Sequence, residues 1–168
     1  MKFNIQPHIG AGELKFKMTS KQVIKTLGTP QLIIEKSTIN YGNFSIEEPM
    51  KMTYFDNELQ ITFDNNKVDF IEFYGKNAEH LEVLLDTLYI FKIPAVELLI
   101  KITELTRSKY DVTNEEIPYS YIFPTIDLSL WRQVIPELDE NNENIADSDE
   151  GKFFWSIGIG TKGYYQNS

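Results

Sequence analysis

Leu59-Gln-Ile-Thr-Phe63, then Asp64-Asn-Asn66, then Val68-Asp-Phe-Ile-Glu-Phe-Tyr74 is the stretch on which the fold of this chain turns. Apolar and polar residues alternate through the first run, which is the period of a strand with one buried face. Asp64, Asn65 and Asn66 tolerate the left-handed backbone of a reversal, and the second run resumes a similar pattern. The stretch therefore predicts an antiparallel meander. Leu59, Ile61 and Phe63 line its buried face, with Phe70 and either Ile71 or Phe73 opposite them.

Immediately upstream, Lys51-Met-Thr-Tyr-Phe55 extends the meander through the turn Asp56-Asn57-Glu58. Residues 31–34 read as a further strand, and the segment between, with Tyr41-Gly-Asn-Phe44 and Glu47-Glu-Pro49, reads as a loop. Thr19 and Gln22 form a capping box, Val23, Ile24 and Leu27 give an apolar face, Gly28 suits the left-handed cap, and Pro30 stops continuation. A helix of about two turns follows from these signals. Residues 3–5 and 13–16 are short strands around Gly10-Ala-Gly12. Downstream, residues 78–88 read as a short helix or irregular connector, and the residues after Pro94 form an amphipathic helix through Ala95, Leu98, Leu99, Ile102 and Leu105. Strand patterns return at 119–123, 126–132 and 153–160. The expected architecture is one α+β domain over 1–168, an antiparallel sheet with helices packed on one face. Segments 1–76 and 77–168 do not align residue by residue, so two similar halves remain an open alternative.

Hydrophobic residues make up 42% of the 168 and aromatics 13%, enough for a packed core and too many for a disordered chain. The chain has no cysteine, which excludes disulfides, thiolate metal ligands and a cysteine nucleophile. Its net charge of −9 is concentrated in residues 137–151, a tract with seven acids (Glu137, Asp139, Glu140, Glu143, Asp147, Asp149, Glu150) and no base. Elsewhere acids and bases nearly balance. An acidic chain with a pI near 4.7 is poorly suited to phosphate backbones, so nucleic acid is not an expected ligand. The start of the chain lacks the apolar run of a signal peptide, and no stretch approaches the roughly 18 apolar residues of a membrane helix. A cytoplasmic location without membrane association is the expectation.

Gly158-Ile-Gly160-Thr-Lys-Gly163 spells a dinucleotide-binding motif, but five residues follow it, too few for the helix that holds the pyrophosphate. It reads instead as a strand end with close backbone packing. His8 and His80 lie in unrelated segments without ligand spacing, so neither a metal nor a cofactor is expected, and His80 beside Glu79 and Glu82 reads as a surface residue. The pairs Glu47-Glu48 and Glu115-Glu116 sit near prolines and read as loop residues. With no nucleophile motif and two histidines, no catalytic residue is nominated and the chain reads as a non-enzyme. The candidate partner-binding residues are Trp131, Arg132, Asp139, Glu140, Glu143, Asp147, Asp149 and Glu150. The acids form a solvated loop or a docking surface for a basic partner. Strand alternation puts Leu128 and Leu130 on the core face and Trp131 on the other, where it packs under a helix, packs against Trp155, or serves an interface.

Met18-Thr19, Val23, Leu27-Gly28 and Pro30, followed by a strand meander, resemble the helix-to-strand motif of the SmpA/OmlA (BamE-like) outer-membrane-assembly lipoproteins over about the first 75 residues. This chain lacks the signal peptide and lipidated cysteine of that family, so the resemblance implies a local fold only. Tyr119-Ser-Tyr-Ile-Phe-Pro124, Leu128-Ser-Leu-Trp-Arg132 and Phe154-Trp-Ser-Ile-Gly-Ile-Gly160 are similar to small bacterial proteins of the polymorphic-toxin immunity type. That resemblance implies a cytoplasmic protein, monomer or homodimer, that neutralises a cognate toxin by direct binding. A basic toxin domain fits the acidic tract, because opposite charge raises the association rate. Two alternatives stand beside it: a small-ligand binder or enzyme with a Tyr and carboxylate pocket, and a structural module that accepts a strand at a sheet edge.

Overall fold

The computed structural model describes residues 1–136 and 150–166. Strands β1 (Lys2–Gln6), β2 (Gly10–Ala11) and β3 (Leu14–Lys15) precede helix α1 (Ser20–Leu27). Next come β4 (Leu32–Ile34), β5 (Ser37–Tyr41), β6 (Phe44–Glu48), β7 (Met50–Tyr54), β8 (Leu59–Asp64) and β9 (Lys67–Tyr74). β10 (Glu82–Leu85) and β11 (Leu88–Tyr89) lead to α2 (Ala95–Thr106), and β12 (Ser120–Phe123), β13 (Leu128–Trp131) and β14 (Ser156–Gly160) complete the order.

The fold is α+β and mostly sheet, and its larger sheet is antiparallel throughout, in the order β12-β13-β14-β9-β8-β7-β4. A smaller sheet runs β11-β10-β1-β2-β3, and its β1–β10 pair is parallel. Both sheets draw strands from 1–76 and from 77–168, since β9 pairs with β14 and β1 with β10. Neither segment owns either of these two sheets, and a separate two-stranded sheet, β5-β6, lies within 1–76.

The decisive meander forms as its alternation dictates, with Leu59, Ile61 and Phe63 buried. On β9 the buried residues are Val68, Ile71 and Phe73, while Phe70 faces the other way. The reason is a bulge between Thr62 and Phe63, which inserts a register shift and moves the buried positions from an even to an odd count. Phe70 instead stacks on Tyr164 with ring centroids 4.8 Å apart. One hydrophobic core joins both sheets and both helices: Phe3 and Ile5 from β1, Ile61 and Phe73 from the large sheet, Val23 from α1, Leu98 and Ile102 from α2. Each such side chain contributes roughly 1.5–3 kcal/mol by leaving water.

α1 carries the capping box, with Thr19 Oγ1 accepting from the Gln22 amide and Gln22 Oε1 accepting from the Thr19 amide. α2 starts after Pro94 and buries Ala95, Leu98, Leu99 and Ile102; Leu105, expected on the same face, is exposed. Residues 82–89 form β10 and β11 and not a helix. Val83, Leu84 and Leu85 are all buried, and a continuous apolar run of that length satisfies a strand covered on both faces as well as a helical turn. The segment read as a loop around Tyr41-Gly-Asn-Phe44 is the hairpin β5–β6, turned at Gly42 with φ 62°.

Candidate binding surface

β13 and β14 pair antiparallel, with Trp131 opposite Ser156, so the strands on either side of the acidic tract form a hairpin as expected. Of the nominated acids, Asp139, Glu140, Glu143, Asp147 and Asp149 lie outside the described residues. The base of the tract is described, and it is closed. The Gly151 backbone packs so tightly on the chain before the tract that an added Cβ would sit 2.5 Å from the Val134 carbonyl oxygen, and its φ of 81° is left-handed. Arg132 secures the same junction. Its Nη1 donates to the Gly151 carbonyl at 2.7 Å and its Nε to the Pro118 carbonyl at 3.1 Å.

Arg132 is 6% exposed, with its guanidinium engaged in this clamp. Alternation explains the outcome: Leu130 and Arg132 point to the same, core-facing side, where the guanidinium lies 5.6 Å from the Phe154 ring centroid. Burial pushes the Arg132 guanidinium down from its ordinary value, and Tyr121 opposes the shift. Trp131, one residue away, is 38% exposed.

Trp131 belongs to a surface cluster. Its ring meets that of Trp155 edge to face at 5.8 Å, an arrangement that aligns ring edge and π face. Lys76 Nζ lies 3.4 Å from the Trp155 ring centroid and 2.8 Å from Glu150 Oε1. Trp155 itself is fixed at its backbone, where its amide donates to the Trp131 carbonyl and its carbonyl accepts from the Gly75 amide, both at 2.7 Å. A concavity of about 380 Å³ opens beside the cluster, lined by Lys76, Phe91, Glu150, Phe153 and Trp155. The structure thus brings Trp131 and Glu150 together and adds Trp155 and Lys76. Lys76 was missed because nothing in Tyr74-Gly-Lys76 signals that it reaches Trp155, 79 residues later.

Other polar groups serve the fold. Asp127 is buried and accepts from the amides of Gly163 at 2.8 Å and Tyr165 at 3.0 Å, while His8 Nε2 approaches it at 3.0 Å. His80 is exposed, with Nε2 2.9 Å from Asp56 Oδ2. Hydrogen bonds from Gln31 and His80 hold the Asp56 carboxyl below its usual value. The glycines of the 158–163 motif make room for rings: a Cβ on Gly158 would strike Phe70, and one on Gly160 would strike Tyr164. Among the described residues no three His, Asp or Glu side chains gather as a metal site, and no helix is long and apolar enough to cross a membrane.

No family model, no curated protein and no solved structure matches this chain.

Proposed function

We propose that this is a cytoplasmic binding protein that acts by direct contact with another protein, as an immunity protein neutralises a cognate bacterial toxin, with no chemistry of its own. The observation that supports the reading is the Trp131–Trp155–Lys76–Glu150 cluster, a pair of partly exposed indoles at the mouth of an acidic tract whose two ends are clamped together. Rigid aromatics give contact area at low entropic cost, and neighbouring charge steers an oppositely charged partner and excludes others. A basic toxin domain is the partner this chemistry favours.

Co-expression tests it. The basic protein that this chain captures from its native host is expressed in a sensitive host with and without this protein. Protection and a salt-sensitive complex are expected, with Trp131→Ala weakening the complex by at least 10-fold. Full toxicity in the presence of the folded protein overturns the proposal.

A further inference from the structure

Lys76 sits where two concavities meet. One, of about 380 Å³, is walled by Phe91, Phe153 and Trp155 and carries a single carboxylate, that of Glu150. The other, of about 200 Å³, is lined by the carboxylates of Asp56, Glu58 and Glu79 together with His80 and Tyr74. Lys76 and Asn77 line both, so the lysine stands between an aromatic site and an acidic one.

The ammonium takes the aromatic side. Its Nζ lies 3.4 Å from the Trp155 ring centroid and 2.8 Å from Glu150 Oε1, so one cation is held by a π face and a carboxylate together. These groups suit an organic cation: the ring quadrupole attracts the charge, the carboxylate balances it, and the apolar walls accept an alkyl stem. A second wall behaves likewise, with Lys152 Nζ 5.6 Å from the Phe153 ring centroid. The walls are preformed. The Trp155 backbone is hydrogen-bonded on both sides, to Trp131 and to Gly75, and the Phe91 ring lies so close over Gly75 that a Cβ there would sit 2.0 Å from it. The lysine, by contrast, is loosely held. Its side chain is 39% exposed and that of Glu150 49%, and an ion pair this open to water is weak. Its flexible stem has a second seat within reach on the acidic side, where Glu79 is exposed.

We infer that the aromatic concavity is a binding site for a guanidinium side chain, and that Lys76 is its resident cation, displaced toward the acidic concavity when that ligand enters. The volume far exceeds what one ammonium fills and falls within the roughly 300–1,000 Å³ of small-ligand sites. A guanidinium is favoured over a second ammonium because it stacks flat on an indole while its edge donates two hydrogens to a carboxylate, and because it is more weakly hydrated than the group it replaces. Glu150 closes a tract of seven acids with no base, and that charge concentrates cations beside the site. The choice of a protein ligand, an exposed arginine of a basic partner, rests on the binding reading above; the cation site itself is read from this chain alone.

The probe is N-acetyl-arginine amide, with N-acetyl-citrulline amide as its uncharged counterpart, each titrated at constant ionic strength into the full chain carrying Trp131→Phe, which leaves Trp155 as the only indole. The arginine probe should change the Trp155 emission saturably, with half-effect at about 1–10 mM, and the citrulline probe should not. Adding Lys76→Met, which removes the resident charge and keeps the stem, should tighten arginine binding at least about 5-fold, and adding Glu150→Gln should weaken it at least about 5-fold. The same titration on the chain with both tryptophans, followed through the two indole N–H resonances, checks that Trp131→Phe has not disturbed the site. Equal responses to the two probes overturn the inference, as does arginine binding that is no tighter in Lys76→Met or no weaker in Glu150→Gln. Because the probe needs no partner, loss of protection in the co-expression assay leaves this result standing, and failure here leaves that assay standing.

Discussion

Burying the Arg132 guanidinium is favourable only because two carbonyls, of Pro118 and Gly151, accept its hydrogens. Arg132→Ala should lower the unfolding free energy by about 2–4 kcal/mol, measured in urea, because both carbonyls lose charge-assisted partners inside the fold. Gly151→Ala should cost about 1–3 kcal/mol through strained left-handed backbone and contact with Val134. Trp131→Ala should cost about 1–2 kcal/mol, since the ring is 38% exposed and its edge-to-face contact with Trp155 is lost. Trp131 and Arg132 were nominated together from composition at binding hot spots. Alternation placed the tryptophan correctly, but the depth of cover over the arginine depends on Pro118 and Gly151, which no local pattern ties to it.

Elements behave by the same logic. The short helical turn Tyr164–Gln166 is held against the large sheet chiefly by Asp127 and by the Tyr165 hydroxyl, which donates to Ser129 Oγ at 2.7 Å. Asp127→Ala should release this turn, with a loss of about 2–4 kcal/mol and faster hydrogen exchange at the Gly163 and Tyr165 amides. Unchanged exchange would show that ring stacking on Phe70 is sufficient. α1 was readable to the residue because its capping box, apolar face and glycine stop are all local. β10 was not, because Val83-Leu84-Leu85 is defined by the parallel partner β1 and not by a period. The β5–β6 hairpin was missed although Thr38-Ile-Asn-Tyr41 and Phe44-Ser-Ile-Glu47 alternate around Gly42; the exposure of its apolar side goes against the usual reading of alternation as a sign of a covered face.

At the scale of the molecule, the core and its aromatic second layer set the response to alkali. Burial raises the Tyr54 hydroxyl to about 12 and pushes Tyr74, Tyr121, Tyr164 and Tyr165 up as well. Each raised group favours the fold while protonated. Stability is therefore complete below the ordinary tyrosine value of 10 and declines as pH rises from there through about 12. Tyrosinate absorbance followed against circular dichroism should show these five ionising late and together with unfolding; early ionisation without unfolding would contradict their burial. The sequence by itself determined the α+β class, the central meander, the first helix and the outward face of Trp131, because alternation and capping are written in neighbouring residues. Tertiary structure alone decided that Arg132 clamps the base of the acidic tract, that Lys76 reaches Trp155 and Glu150 from a remote segment, and that the apolar side of the β5–β6 hairpin stays exposed. Those facts depend on which remote segment covers a given face, and free energy of burial is a property of the covering pair and not of either strand.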